Sequence, residues 1–257
     1  MQLRLTPVVK WMSISFLAIF IVQHGLDQFA GTNLTAWLGL VPRAFVFELR
    51  FWQIFTYSFL HADVMHLALN AMMLIFIGSE LESLWGARRF IQFFAICTVS
   101  AGLFYLILNM AFGSGVGLVH PLVGSSGGLY GLLVAYGILF SERQLLFMMI
   151  FPMKAKHFVW LLAGVEFLNT VFSSSQGGLA GVAHLGGMIG GFILLVVQAN
   201  ARKRKSGNVV ENALKAAGAS LSKKKNASAK KSHLRLVTDN VKEFDKDEKP
   251  HDPKKWN

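Results

Sequence analysis

The stretch Gly124-Ser125-Ser126-Gly127-Gly128-Leu129-Tyr130-Gly131 places two serines among glycines, at the head of an apolar run that extends to Phe140. Glycine permits tight turns and close approach of two backbones. Such a cluster therefore either packs helices together or opens space for a substrate to reach a serine hydroxyl. Small residues are the usual helix contacts in bilayers, so the stretch alone leaves both interpretations open.

The composition is that of a polytopic membrane protein. Of the 257 residues, 53% are apolar and only 15% are charged, which lies far outside the usual soluble range. The single cysteine, Cys97, lies inside an apolar run and has no partner for an internal disulfide. The sequence contains no Cys or His spacing typical of a metal site, so neither a metal nor another cofactor is expected.

Six apolar segments predict an all-α bundle of six transmembrane helices within a membrane domain over residues 1–199. Helices that cross a bilayer need about 20 apolar residues. The segments are residues 11–29, 58–79, 90–112, 122–140, 155–173 and 179–199. The aromatic connection over residues 30–57 suits a segment lying among the lipid headgroups. The apolar run 144–152 is too short to cross and is expected at the interface.

The excess positive charge belongs to a tail over residues 200–257. Residues 1–199 carry nine Lys and Arg against seven Asp and Glu, whereas the tail carries sixteen against seven. Its low aromatic content and its many Lys, Ala and Ser residues predict disorder. Residues 202–205 could hold anionic lipid headgroups, although a topology anchor with a solubilising tail is the favoured interpretation. Nucleic-acid binding is not expected, because no stacking aromatics accompany the lysines.

The distribution of Lys and Arg predicts that both termini are cytoplasmic, because basic residues near span ends are retained on that side. The second and fourth connections and the start of the tail are basic, whereas residues 113–120 and 174–178 contain no Lys or Arg. Arg43 and Arg50 in the first connection dilute this contrast. In this orientation spans two, four and six all run from outside to inside, and each begins with polar residues.

Three spans thus bring polar side chains to one depth, in the outer half of the hydrocarbon core. They are His66 and Asn70 in span two, Ser126 in span four and His184 in span six. Serine is a weak nucleophile unless a neighbouring base takes its proton, and neutral imidazole is suited to that task. We therefore expect Ser126 and His184 to lie within hydrogen-bonding distance, as nucleophile and base.

Further residues fit this pair. His66 and Asn70 lie four apart on one helix face and can donate hydrogen bonds to a developing oxyanion, as can backbone N–H groups at the start of span four. Tyr130, four residues after Ser126, is expected to pack against the imidazole. Pairs of small residues allow the close helix contact that is needed: Gly124 and Gly128, Gly127 and Gly131, and Gly187 and Gly191.

Glu166 is the only acidic residue deep within a predicted span, and such residues often mark functional sites. Because span five enters from the inner side, the sequence predicts a position deeper than that of Ser126. A protonated or hydrogen-bonded structural role is therefore favoured over a catalytic one, and the sequence offers no strong candidate for a third member of a triad.

Residues 48–191 resemble a rhomboid intramembrane serine protease. The family's three motifs are matched in order: His66-x-x-x-Asn70, Gly124-x-Ser126-Gly127 and Ala183-His184-x-x-Gly187-x-x-x-Gly191. The segment from Gly78 to Gly86 is similar to the family's turn after span two, and His61 also fits. Trp52-Gln53 departs from a frequent Trp-Arg of the family, which puts a loop contact in doubt.

The resemblance implies a function and roles. Ser126 would be the nucleophile and His184 the base; His66, Asn70 and the Ser126 amide would form the oxyanion hole, with Tyr130 supporting His184. The substrates implied are single-span membrane proteins, cut near small residues after their helix unwinds; a helix hides its carbonyls in its own hydrogen bonds and must open before attack. The six-span plan resembles the simple bacterial form, so a bacterial inner membrane is expected, with the active site opening to the outer side.

Three other interpretations fit parts of the sequence. Gly124-x-Ser126-x-Gly128 also matches the nucleophile elbow of α/β-hydrolases, but the flanking runs show no strand-length alternation. A transporter would explain intramembrane His, Asn and Glu, but not the serine and histidine at matched depth, and no internal repeat is evident. A non-catalytic rhomboid-like protein that binds membrane helices would be expected to have lost one of the pair. An intramembrane serine endopeptidase is favoured.

Overall fold

The computed structural model describes residues 5–112, 115–147, 151–172, 178 and 180–204. Two units are distinguished, Met1–Val197 and Gln198–Asn257. Of the second unit only residues 198–204 are described, and these are helical. The predicted disorder of the tail therefore falls largely outside the described residues, and the division at residue 199 stays a prediction.

The described chain is mostly helical. In order its α-helices are α1 (Pro7–Phe29), α2 (Leu34–Leu38), α3 (Pro42–Phe47), α4 (Gln53–Thr56), α5 (Val64–Met73), α6 (Ser79–Trp85), α7 (Ala87–Phe112), α8 (Gly115–Val119), α9 (Ser126–Leu139), α10 (Ala155–Phe172) and α11 (Ala180–Arg204). A 3₁₀ turn, Tyr57–Phe59, precedes α5, and a π-helical turn, Leu74–Gly78, joins α5 to α6. An antiparallel hairpin, β1 (Gln144–Phe147) and β2 (Phe151–Lys154), lies between α9 and α10.

Four helices of the described chain are long and apolar enough to cross a membrane. They are Pro7–Phe29, Val64–Trp85, Ala87–Phe112 and Ala180–Arg204. The other two predicted spans correspond to α9, with 14 residues, and α10, with 18 residues, and neither meets the same criteria of length and composition. Large apolar side chains point outward on these helices, as a lipid-facing surface requires: Trp11, Ile21, Ile107, Trp160, Phe192 and others. This is an integral membrane protein, while the count of six spans stays a prediction.

One local prediction needs correction. Span two was expected to begin at residue 58, but its helix begins at Val64, because the Asp63 side chain accepts a hydrogen bond of 2.8 Å from the His66 amide and caps α5 there. The described residues of the apolar run 144–152 lie in the hairpin, where Leu145 is opposite Met153. The placement of this run at the membrane interface stays a prediction.

A buried carboxylate fixes the start of α1. Glu82 of α6 accepts hydrogen bonds of 3.0 Å from the amides of Val8 and Val9, and a further one from the Thr6 hydroxyl. The first amides of a helix have no partner within the helix, and the positive end of the helix dipole favours an anion. Glu82 therefore ties α1 to α6 from 73 or more residues away.

Helix α9 is the centre of the bundle, since ten of its fourteen residues are buried. It packs against α7 on one side and against α11 on another, and small residues line both contacts. A Cβ atom at Gly187 of α11 would lie 1.9 Å from the carbonyl oxygen of Gly127, and one at Gly191 would lie 2.9 Å from that of Gly131. The two backbones are therefore closer than any side chain at Gly187 would allow, which brings the first turn of α9 against α11.

Candidate active site

A short extended segment leads the chain into α9. Leu122 pairs with Leu40 through two backbone hydrogen bonds of 2.9 Å, and the Gly124 amide donates to the Tyr57 carbonyl at 2.9 Å. Ser125 then occupies the position before the helix, and Ser126 is its first residue. These contacts set where the serine pair enters the bundle.

Gly124 turns the chain so that α5 can approach. Its φ of +113° lies in the region that only glycine enters without strain. A Cβ at this position would lie 2.6 and 2.7 Å from Cε1 and Nε2 of His66, and 3.6 Å from Nδ2 of Asn70. The predicted neighbours His66 and Asn70 are thus brought to the backbone just before Ser126.

Asn70 has a free donor at this point. Asn70 is buried, with 5% of its surface exposed, and its Nδ2 atom forms no hydrogen bond within the described structure. A buried amide without a partner is costly and calls for an explanation. A group that carries negative charge only when substrate is present would supply the missing acceptor.

A hydrogen bond of 2.7 Å joins Ser126 Oγ and His184 Nε2. The expected hydrogen-bonding distance between these side chains is therefore observed. With the imidazole proton on Nδ1, the serine hydroxyl donates and Nε2 accepts, which is the arrangement that makes the hydroxyl a nucleophile. Both residues are partly buried. The adjacent Ser125, by contrast, is fully buried and its Oγ has no hydrogen-bond partner.

Tyr130 packs flat against His184, as the sequence predicts. The ring centroids are 4.3 Å apart and the planes differ by 10°. Tyr130 lies one helical turn after Ser126, so its ring and the serine hydroxyl meet the imidazole from one face of α9. The stack limits rotation of the imidazole out of the orientation that reaches the serine.

Glu166 lies beside the serine and histidine pair. Its Oε1 atom accepts a hydrogen bond of 2.5 Å from the Tyr130 hydroxyl and lies 3.0 Å from His184 Nδ1. It is the twelfth of the 18 residues of α10 and lies about 16 Å from the start of that helix at Ala155. The carboxylate is therefore hydrogen-bonded, while its depth relative to Ser126 stays a prediction.

Glu166 and His184 lie close together without a hydrogen bond between them. Although Nδ1 and Oε1 are 3.0 Å apart, Nδ1 is without a hydrogen bond of acceptable angle. The carboxylate oxygen is directed instead at the Tyr130 hydroxyl. We therefore treat the contact as an electrostatic one, which depends on distance more than on the direction of the N–H bond.

His61 lies behind His66. It is fully buried, and its ring centroid is 5.3 Å from those of His66 and Phe16. It thus packs against the edge of the His66 ring in a T-shaped contact, with 69° between the ring planes. Within the described residues, no three His, Cys, Asp and Glu side chains are grouped so that they could hold a metal ion.

The described chain contains apolar helices of membrane-spanning length. A serine at the start of one helix is hydrogen-bonded to a histidine of another. Together these features define an integral membrane protein with a serine–histidine pair like that of hydrolases. Residues 48–200 match the Rhomboid domain family, and the chain belongs to that family. The family expected from the motifs is thereby confirmed.

The curated relatives agree with this assignment. The chain is similar to Rhomboid protein 1, mitochondrial, of Saccharomyces cerevisiae, with 28% identity over 136 residues, 53% of this chain and 38% of that protein. It is 23% identical over 181 residues to Rhomboid protease GluP of Bacillus subtilis, covering 69% of this chain and 32% of the relative. Rhomboid-related protein 3 of Homo sapiens is 34% identical over 85 residues, which are 33% of this chain and 19% of the relative. The chain thus matches well under half the length of these relatives.

Proposed function

We propose that this protein is an intramembrane serine endopeptidase that cleaves the membrane-spanning segments of other proteins. The observation that carries the proposal is the 2.7 Å contact between Ser126 Oγ and His184 Nε2 beside an unpartnered Asn70 amide. Membership of the Rhomboid domain family, with a relative named as a protease, supports the same conclusion.

In the first step Ser126 Oγ attacks the carbonyl carbon of the substrate peptide bond while His184 Nε2 takes the hydroxyl proton. An Oγ–C bond forms, and the carbonyl oxygen gains a negative charge. Asn70 Nδ2, His66 and the Ser126 amide would donate hydrogen bonds to this oxyanion; Ser126 is the first residue of α9, so its amide has no acceptor within the helix. Removing one such donor typically costs about 10²- to 10³-fold in rate.

In the second step the C–N bond breaks as the imidazolium returns its proton to the leaving nitrogen. The product is an ester between Ser126 Oγ and the new carboxyl end of the amino-terminal fragment, while the carboxyl-terminal fragment leaves with a free amino group. Water then attacks this ester, with His184 again taking a proton, and the serine is released. His184 has 16% of its side chain exposed, which leaves an open edge beside the ester.

The finer parts of the proposal concern topology and substrate. The substrates are single-span membrane proteins; the chain crosses the membrane six times with both termini cytoplasmic, and the site opens to the outer side of a bacterial inner membrane. The basic start of the tail lies against the headgroups, where each Lys or Arg near an anionic surface contributes about 1 kcal/mol. The distribution of Lys and Arg in the sequence supports this orientation.

Cleavage of a single-span model substrate by the full chain in liposomes tests the proposal. Native protein and Ser125→Ala should produce the same two fragments, whereas Ser126→Ala should produce none. Ser125 is the matched control, because it is the neighbouring serine, is buried, and has no hydrogen-bond partner for its Oγ. Absence of cleavage by folded native protein, or cleavage that survives Ser126→Ala, would overturn the proposal.

A further inference from the structure

Glu166 is a buried acid whose surroundings require an account. It has 7% exposure on a helix otherwise rich in apolar side chains. A carboxylate in such a place is costly unless it is paired, and intramembrane acids usually serve a function. Its partners are the Tyr130 hydroxyl and the imidazole of His184.

The contact reaches the nitrogen of His184 that faces away from the serine. Nε2 lies 2.7 Å from Ser126 Oγ, and Nδ1 lies 3.0 Å from Glu166 Oε1. A negative charge at Nδ1 favours the tautomer with the proton there, which leaves Nε2 free to accept the serine proton. It also stabilises the imidazolium that forms when that proton arrives.

Tyr130 links the two contacts. Its ring stacks on the imidazole at 4.3 Å, and its hydroxyl donates to the same Oε1 atom of Glu166. The imidazole therefore has the Tyr130 ring on its face and the Glu166 carboxylate 3.0 Å from its Nδ1 edge. Among the described residues, His66 of α5 also interacts electrostatically with His184, and an imidazole cannot offer a negative charge.

We propose that Glu166 is a positioning residue that completes a Ser126, His184 and Glu166 triad, holding the base in its reactive tautomer and stabilising its charged form. The inference rests on the proposed function, since it concerns the same reaction. It extends that function, because the resemblance to rhomboid proteases supplies only the serine, the histidine and the oxyanion donors.

The chain contains a matched control. Glu80 accepts a hydrogen bond of 3.0 Å from the Tyr136 hydroxyl, also on α9, but its cationic neighbour is Arg143. Glu166→Gln and Glu80→Gln each remove one charge while leaving a tyrosine with an acceptor. Only the first change removes a charge beside His184.

The experiment measures kcat and KM for the model substrate in liposomes, the labelling rate with a fluorophosphonate probe, and the thermal midpoint of each variant. Glu166→Gln should lower kcat and the labelling rate about 10- to 100-fold with little change in KM, because a charge that acts only as the imidazolium forms affects the transition state. Glu80→Gln should keep the native kcat. Glu166→Asp should give an intermediate kcat, since it keeps the charge but withdraws it by one methylene.

Several results would overturn the inference. The first is a Glu166→Gln variant whose kcat equals the native value. The second is a Glu80→Gln variant whose kcat falls as far as that of Glu166→Gln. The third is a Glu166→Asp variant whose kcat is no higher than that of Glu166→Gln. Should Glu166→Gln fail to fold, a kcat below native in Glu166→Asp but not in Glu80→Asp supports the inference, and a native kcat in Glu166→Asp overturns it. Failure of the native protein to label or cleave would remove the proposed function itself, whereas active native protein with a fully active Glu166→Gln removes this inference alone.

Discussion

Helix α9 carries two contacts between a tyrosine and a glutamate, and they differ in what stands beside the carboxylate. Near its start Tyr130 donates to Glu166, which lies 3.0 Å from the His184 imidazole. Near its end Tyr136 donates to Glu80, which lies 2.7 Å from the Arg143 guanidinium.

The two tyrosines are six residues apart, which is roughly 240° around a helix, so they meet different neighbours. At the Tyr136 end a permanent cation neutralises the acid, and the contact anchors α6 to α9. At the Tyr130 end the neighbour gains its charge only by taking a proton. The same pair of side chains can therefore anchor a helix or assist a reaction, depending on the third group.

The largest difference between the two ends of α9 is expected when the residue beside each carboxylate, His184 or Arg143, is replaced. His184→Ala should lower the cleavage rate by at least about 10³-fold, because the serine loses its base. Arg143→Ala should leave the rate unchanged and lower the free energy of unfolding by about 1 kcal/mol or less, since Arg143 is 42% exposed. Cleavage assays and denaturation in the same detergent measure both quantities. A catalytic loss in Arg143→Ala would mean that the two ends of α9 are not independent.

Glycine substitutions at the two ends sharpen the contrast. Gly124→Ala would strain a φ of +113° and press on the His66 ring, so it should lower the labelling rate of folded protein. Gly137→Ala would place a Cβ 2.5 Å from Val159 Cγ2, in packing remote from the site. It should cost about 1 to 3 kcal/mol of stability while folded molecules label at the native rate. Equal labelling rates for the two variants would contradict the close approach of His66 to Gly124.

A smaller effect is expected from removing the tyrosine hydroxyls. Tyr130→Phe keeps the stacked ring but leaves Glu166 without its donor, so the labelling rate should fall about threefold to tenfold. Tyr136→Phe should change only stability, by about 1 kcal/mol. Probe labelling alongside thermal denaturation distinguishes the two. An unchanged rate in Tyr130→Phe would mean that the stack alone orients His184.

The smallest effect is expected for Glu142, which lies just beyond the end of α9. Hydrogen bonds from Lys154 and Lys156 lower the pKa of the Glu142 carboxyl to about 2 from its ordinary 4.5. A lowered acid pKa stabilises the folded protein above pH 4.5, and this contribution is lost as the pH falls towards 2. Glu142→Gln should therefore lower the thermal midpoint slightly at pH 7 and not at pH 2, without changing cleavage at pH 7. A difference that grows on acidification would contradict this sign.

The sequence was sufficient for the parts of the site that lie within motifs. Ser126, His184 and Tyr130 were predicted to meet, and their hydrogen bond and stacked rings are present. The glycines that allow α9 and α11 to touch were also identified, since small residues at four-residue spacing indicate close helix contact. Local spacing within a helix fixes which face Tyr130 and the glycines occupy, whereas the pairing of Ser126 with His184 was predicted from the matched depth of their spans and from the family's motifs.

Contacts between distant segments could not be predicted in the same way. The contact of Glu166 with Tyr130 and His184 depends on how α10 packs against α9 and α11, which no local pattern in the sequence specifies. The capping of α1 by Glu82 joins residues more than 70 positions apart, so no local pattern announces it. The one available signal for Glu166 was that an acid in an apolar helix needs a partner, and a search for that partner among polar residues of the other spans would have included His184.

The central claim is that His184 activates Ser126. The most direct measurement is labelling of the full chain in liposomes with a fluorophosphonate probe, followed by mass-spectrometric mapping of the modified residue. The account predicts an adduct on Ser126 in the native protein and in Ser125→Ala, and none in folded His184→Ala. An adduct on Ser125, labelling that persists in His184→Ala, or folded native protein that does not label would contradict it.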